Sequence, residues 1–203
     1  GEASAPSLSS DLDSLNGASV KYWVNGNGIK ISGNPTAWLQ GHAAFCTEYP
    51  QTTLLRFLAE MQSELLQPGY RLVVHHFTTL HLAHMVDCDD SISARNALEA
   101  LQLSAYKGRA YKSIYENGVY FGQSSHARAC KVYRDANKHY PGVVSPGSMG
   151  RFLRVEAVIM GDTVPQYFGP PGPGQLQRYL ATNLHKVFLA ETEALRIVAS
   201  NTP

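Results

Sequence analysis

Eleven tyrosines are spread along the chain, and one of them, Tyr133, closes the apolar run ACKVY with Lys131, Arg134, Lys138 and His139 near it in sequence. A phenol ionises near pH 10, so it attacks a phosphate only where a neighbouring cation or base favours the phenolate. Those four residues could supply that help, and they would also steady the oxygens of a scissile phosphate. The same pattern equally describes an ordinary solvated strand edge. A second constellation is imidazole-rich: four of the eight histidines, His75, His76, His81 and His84, lie within ten positions. Glu156 sits in another strand-like run, FLRVEAVIM, where Arg154 shares its face because side chains two apart point the same way. Converging there, His81, His84 and Glu156 would bind Mg²⁺ or Mn²⁺ through nitrogen and oxygen ligands, provided adjacent strands bring them together. Taken singly, each histidine is as readily a strand-edge residue satisfied by water or backbone.

Two further stretches could meet phosphates. Ser124, Ser125, His126 and Arg128 form a small hydroxyl-rich, basic patch before the strand that ends at Tyr133. Tyr106, Lys107, Arg109, Tyr111 and Lys112 interleave aromatics with cations, the composition of a platform on which bases stack while cations follow the backbone. A solvated loop before a hairpin has the same composition. Gly26, Gly28 and Gly33 fit turn geometry, since none opens a helix as a phosphate-cradling loop requires.

The elements that must position these residues follow from periodicity. SVKYWVNGNGIKIS alternates apolar and polar residues about an Asn-Gly-Asn-Gly tetrad, which predicts a tight antiparallel hairpin. TAWLQGHAAF is ambiguous between short helix and loop. TTLLRFLAEMQSELL carries Leu54, Leu55, Leu58, Met61, Leu65 and Leu66 at a period near 3.6 and predicts an amphipathic helix ended by Pro68-Gly69. Residues 70–86 read as one or two strands, DDSISARNALEALQLSAY as a capped helix, and SIYENGVYFGQSSHARACKVY as strand, Asn-Gly turn, strand, loop and strand. GDTVPQYFGPPGPG reads as a linker and QLQRYLATNLHKVFLAETEALRIVA as a terminal helix. The expected organisation is a flexible N-terminus over 1–18, one domain over 19–162, a linker over 163–174 and a C-terminal helix over 175–203. Hairpins alternating with helices, without internal repeats, predict an α+β fold: a central antiparallel sheet with flanking helices.

Whole-chain properties narrow the classes. With 203 residues, 44% of them hydrophobic, the chain can bury one sizeable core or two small ones. A net charge of +1 provides no broad basic field, so nucleic-acid contact would have to come from local clustering. Cys46, Cys88 and Cys130 are far apart with no CxxC spacing, which argues against a disulfide framework or a zinc knuckle and fits a reducing cytoplasm. No window approaches the roughly 18 apolar residues of a spanning helix, so no membrane partner is expected.

Four segments, ISGNPTAWLQGHAAF, TTLHLAH, VYFGQSSHARACKVY and RFLRVEAVI, occur in the order and at about the spacings of the filamentous-bacteriophage gene II replication initiators. The chain resembles that family from about Ser32 to Met160. The resemblance implies an HUH-endonuclease-like protein that nicks the plus strand of a phage origin. In such proteins a tyrosine attacks one phosphodiester, leaving a 5′-phosphotyrosine and a free 3′-OH that primes rolling-circle synthesis, and the same site later rejoins the strand. It places the nucleophile at Tyr133, the family's acidic residue at Glu156 and its arginine at Arg154, with a divalent cation polarising the phosphate.

The match departs from the family pattern in three ways. The family's Arg-hydrophobic-Asp strand reads LHLAHMVD here, so the acidic position falls near His84, with Asp87 three residues further on; the strict His-hydrophobic-His motif is absent, since two residues separate His81 from His84, and a ligand set of His81, His84 and Glu156 requires a bulge in that strand. The lysine expected shortly after the tyrosine is replaced by Arg134 and Asp135, which leaves Lys138 as the candidate catalytic lysine. Gene II proteins are also about twice this length. Candidate DNA contacts are Ser125, His126, Arg128, Lys131, Arg134, Lys107 and Arg109. The implied partners are single-stranded or supercoiled origin DNA and a host helicase and polymerase, in the cytoplasm of a bacterial host. The competing functions are a non-catalytic single-stranded DNA-binding regulator of phage replication, and an intracellular protein with a histidine-lined metal site and no DNA.

Overall fold

The alternation about Asn25-Gly26-Asn27-Gly28 produces two antiparallel strands, β2 (Ser19–Asn25) and β3 (Gly28–Ser32), in the computed structural model, which describes residues 8–14, 18–25, 28–66, 71–103, 112–122, 128–134 and 150–192. Gly28 has φ +139°, a backbone conformation that side-chain-bearing residues rarely adopt. A further strand, β1 (Leu8–Asp13), pairs along the whole of β2, from Leu8↔Val24 to Asp13↔Ser19. The expectation of a flexible segment over 1–18 therefore fails at residues 8–13. Leu12, opposite the buried Val20, packs into the core and pins this otherwise polar strand.

The ambiguous segment is helix only as far as Gln40, in α1 (Pro35–Gln40), and irregular from Gly41 to Phe45. Asn34 accepts hydrogen bonds from the amides of Thr36 and Ala37 at 3.0 and 3.1 Å, Pro35 opens the first turn, and Gly41 at φ 78° closes the last. The periodic run forms α2 (Pro50–Leu65), which buries Phe57 and Met61 against Val20 and Trp38. Trp38 meets Phe57 edge-on at 6.2 Å and donates its indole N–H to Glu60 at 2.7 Å. Together these elements belong to one compact unit, Gly1–Leu72, and the rest of the chain, Val73–Pro203, forms a second. The single expected domain over 19–162 is thus divided at residue 72.

The second unit is built on a five-stranded, wholly antiparallel sheet in the order β4-β8-β7-β6-β5. Its strands are β4 (Thr79–Asp87), β5 (Lys112–Tyr115), β6 (Gly118–Phe121), β7 (Arg128–Arg134) and β8 (Phe152–Met160). Of the histidine-rich run only Thr79–Asp87 is strand. The residues before it have no regular structure, although the Gly172 amide donates to the His75 carbonyl at 2.7 Å and the Phe77 amide to Gln175 Oε1 at 2.6 Å. Between β4 and β5 runs α3 (Ser91–Leu103), begun by Asp90, whose carboxylate accepts from the Ile92 and Ser93 amides. Ala94 and Leu98 of α3 cover Val119, Phe121, Cys130, Val132 and Leu153, which are one set of alternate residues of the sheet. Each large side chain fully buried there contributes about 1.5–3 kcal/mol.

The C-terminal part corrects two expectations. The presumed linker over 163–174 contains a helix, α4 (Thr163–Phe168), with Val164 and Phe168 almost completely buried. Pro165 is tolerated because it falls in the first turn, where a missing amide costs no hydrogen bond. The presumed single helix over 175–203 is broken into α5 (Gln175–Ala181) and α6 (Leu184–Thr192), with the Asn183 side chain accepting from the Lys186 amide at the new start. Antiparallel sheets with packed helices make the chain α+β, as expected. Among the described residues no helix is long and apolar enough to cross a membrane.

Candidate active site

Strands β4, β8 and β7 are paired residue for residue, so register alone decides which side chains share a face. Tyr133 lies opposite Arg154, Lys131 and Ala83 both lie opposite Glu156, and His81 lies opposite Val158. Directly paired residues point to the same side. Tyr133, Lys131, Arg154, Glu156 and His81 therefore emerge together, on the face that α3 does not cover.

Glu156 is the hub. The Tyr133 hydroxyl donates to Glu156 Oε1 at 2.5 Å, and Arg154 Nε donates to the same oxygen at 2.9 Å. His81 Nδ1 lies 3.3 Å from Oε2. The carboxylate side chain is only 9% exposed while the His81 ring is 46% exposed, so the site has a buried anion with an imidazole at its mouth. Burial would push the Glu156 carboxyl up. The hydrogen bonds from His81 and Tyr133 and the charge of Arg154 outweigh that and hold it at about 2. At neutral pH Glu156 is an anion accepting a phenolic proton that an ordinary tyrosine keeps until near pH 10. The Tyr133 hydroxyl therefore donates to a carboxylate that is already ionised. Such an arrangement orients the hydroxyl, and nucleophilic use of it needs positive charge brought close to both oxygens.

His84 does not join this group. The register from Thr79↔Met160 to Asp87↔Phe152 runs without a bulge, so His84, three residues from His81, falls on the opposite face, with its ring 5.9 Å from that of Phe188 on α6. The expected convergence of His81, His84 and Glu156 fails for that reason. Among the described residues no group of three or more His, Cys, Asp or Glu is placed to hold a metal ion. Arg134 is likewise on the helix-covered face, where its guanidinium donates to the Ser91 carbonyl at the start of α3, at 3.2 Å. Lys131 is on the site face, with Nζ 5.3 Å above the Tyr120 ring. Arg128 begins β7 opposite Ile159. Lys107, Arg109, Ser125, His126 and Lys138 lie outside the described residues.

One further feature of the site was anticipated and one was not. Arg154 was legible through its two-residue spacing from Glu156. Gly118, opposite Tyr133, was not, because Asn117-Gly118 reads only as a turn. A Cβ at Gly118 would lie 3.0 Å from the Tyr133 Cβ, so the missing side chain leaves room beside the tyrosine.

Residues 6–140 match a family described as the N-terminal part of the phage gene II replication-associated protein. The chain is 27% identical over 120 residues to the replication-associated protein of that type from Enterobacteria phage I2-2, an alignment covering 54% of this chain and 35% of that protein. The match thus spans about a third of the relative's length. Arg154 and Glu156 lie beyond residue 140. No solved structure matches.

Proposed function

The chain belongs to the gene II family of phage replication-associated proteins, and on that premise we propose that it nicks and rejoins single-stranded origin DNA in phage rolling-circle replication, with Tyr133 as nucleophile. The observation that carries this reading is the Tyr133–Glu156 hydrogen bond, flanked by Arg154 and His81 on one face of an antiparallel sheet. That grouping of tyrosine, carboxylate and histidine also supports an HUH-type classification, although the strict His-hydrophobic-His motif is missing.

In the proposed reaction Tyr133 Oη bonds to phosphorus and the P–O3′ bond breaks. The phenolic proton is lost and the departing 3′ oxygen gains one, giving a 5′-phosphotyrosine and a 3′-OH. Rejoining is the reverse, with no net change in bond types. Glu156 holds the hydroxyl in one orientation before attack. Arg154 sets a fixed positive charge beside it, suited to phosphate oxygens. His81 and Glu156 are a nitrogen and oxygen donor pair that fits Mg²⁺ or Mn²⁺, ions that keep several waters and share substrate phosphate oxygens. When bound, such an ion supplies Lewis-acid charge at the scissile phosphate. Lys138 is a further proposed cation. The proposed setting is the cytoplasm of a bacterial host, with host helicase and polymerase extending the 3′-OH.

The second reading, a non-catalytic single-strand binder, draws support from the hydrogen bond that ties the Tyr133 hydroxyl to the ionised Glu156. The two separate on a denaturing gel after incubation with a randomised single-stranded oligonucleotide library and Mn²⁺. The nickase reading expects a covalent protein–DNA adduct that Tyr133→Phe abolishes. An adduct persisting in Tyr133→Phe overturns Tyr133 as nucleophile. Absence of any wild-type adduct, with binding retained, favours the regulator.

A further inference from the structure

The face that carries Tyr133 continues across β6 and β5, and it changes character there. Tyr120 pairs with Lys131, which pairs with Glu156, so these three form one cross-strand row. Tyr115 pairs with Gly118, which pairs with Tyr133, in the neighbouring row. The Tyr115 and Tyr120 rings lie 4.7 Å apart at 48°, and Lys131 Nζ stands over the Tyr120 ring. Tyr115 is 53% exposed, so a large part of its ring is open to a ligand.

Gly118 puts no side chain between Tyr115 and Tyr133, so the ring pair and the tyrosine are neighbours along one row. From the Tyr115 backbone to the Tyr133 backbone is two strand spacings, about 10 Å. That equals about three nucleotides of a stacked strand, at about 3.4 Å each. The hairpin is also held in place: Gln102 of α3 donates to the Tyr115 carbonyl at 2.8 Å and to the Gly118 carbonyl at 3.4 Å, and Lys112 Nζ donates to the Gln102 carbonyl.

We propose that Tyr115 and Tyr120, with Lys131, form a subsite that stacks one unpaired base of single-stranded DNA within about three nucleotides of the phosphate presented to Tyr133. The occupant follows from chemistry. An open aromatic face accepts any base, and the ammonium beside it neutralises the phosphate that links this base to the next. A double-stranded partner presents no free base face, so the subsite selects single strands. Tyr115 and Tyr120 are positioning residues: they fix which phosphate stands at Tyr133 without touching the reacting atoms. The proposal rests on the DNA-nicking reading, and its test needs no chemistry.

The full chain is titrated with oligo(dT) in which 2-aminopurine alternates with thymine, following quenching of the fluorescent base and binding anisotropy. Wild type quenches the fluorescence. Tyr115→Ala weakens binding roughly tenfold, in line with the cost of losing one stacked base, and loses much of the quench, whereas Tyr115→Phe keeps both. Lys131→Gln lowers the slope of log affinity against log salt by about 0.7, one single-strand phosphate contact. Equal quenching and affinity in wild type and Tyr115→Ala overturn the subsite even if the covalent adduct forms. Quenching that depends on Tyr115 where no adduct ever forms leaves the subsite standing and removes the nickase reading.

Discussion

The two sheets of this protein contain nearly the same local arrangement in different surroundings. In the three-stranded sheet Trp23 lies directly opposite Lys30, whose Nζ is 5.4 Å from the centre of the indole ring. In the five-stranded sheet Tyr120 lies directly opposite Lys131, with Nζ at 5.3 Å. The first pair lies on the face away from Val20 and the helices packed on it, and the second on the face that α3 does not cover. The difference lies one strand further on: Trp23 is opposite Ser9, whereas Lys131 is opposite Glu156 and stands beside Tyr133. A lysine over an aromatic ring is a common surface contact of about 0.5–1 kcal/mol. What distinguishes the second is a buried anion with its hydrogen-bonding partners, a costly arrangement.

The sharpest way to break that comparison is to neutralise the hub. Glu156→Gln leaves the Arg154 charge largely buried without its partner and is expected to destabilise the second unit by about 3 kcal/mol in urea unfolding. Lys30→Gln in the first unit should change stability by no more than about 0.5 kcal/mol. A Glu156→Gln variant as stable as Lys30→Gln would show that the network is an exposed surface feature.

Acid should reveal the same asymmetry. The Glu156 carboxyl is held at about 2 in the folded chain, below the 4.5 of an ordinary glutamate, so its contribution is complete above about 4.5 and disappears as the pH falls towards 2. The drop is worth roughly 3 kcal/mol. In melting curves across that window wild type should lose more stability than Glu156→Gln, and parallel curves would contradict the assignment. The smallest contrast is ionic: Lys131→Gln should reduce the salt dependence of single-strand binding by about 0.7 in slope, and Lys30→Gln should leave it unchanged. Equal effects would make the two lysines interchangeable surface charges.

Periodicity carried much of this fold, and what it missed has identifiable causes. The β2–β3 hairpin, α2, α3 and the strands from β5 to β8 were all readable because each alternates or repeats on its own. β1 was not, since LSSDLD offers two apolar residues and gains its place only by pairing with β2. The helix α4 was hidden because Pro165 and the Pro-Gly run after it read as linker, while the burial of Val164 and Phe168 is a tertiary fact. The break between α5 and α6 was hidden because apolar spacing continues through Thr182-Asn183.

At the site, Tyr133, Glu156 and His81 were named from sequence and the sheet brings them together. His84 was named too, against the parity of its own strand. A three-residue spacing reverses faces unless a bulge intervenes, and β4 has none. Residue chemistry suggested the ligand set, and elementary strand geometry would have removed one member of it.

The central claim is that the hydroxyl held by Glu156 is the one that joins to DNA. Peptide mass mapping of the denatured protein–DNA adduct tests it most directly, by locating the nucleotide remnant. The account predicts the remnant on the peptide containing Tyr133, with none on the peptide containing Tyr140. A remnant on Tyr140, or on any other residue, would contradict it.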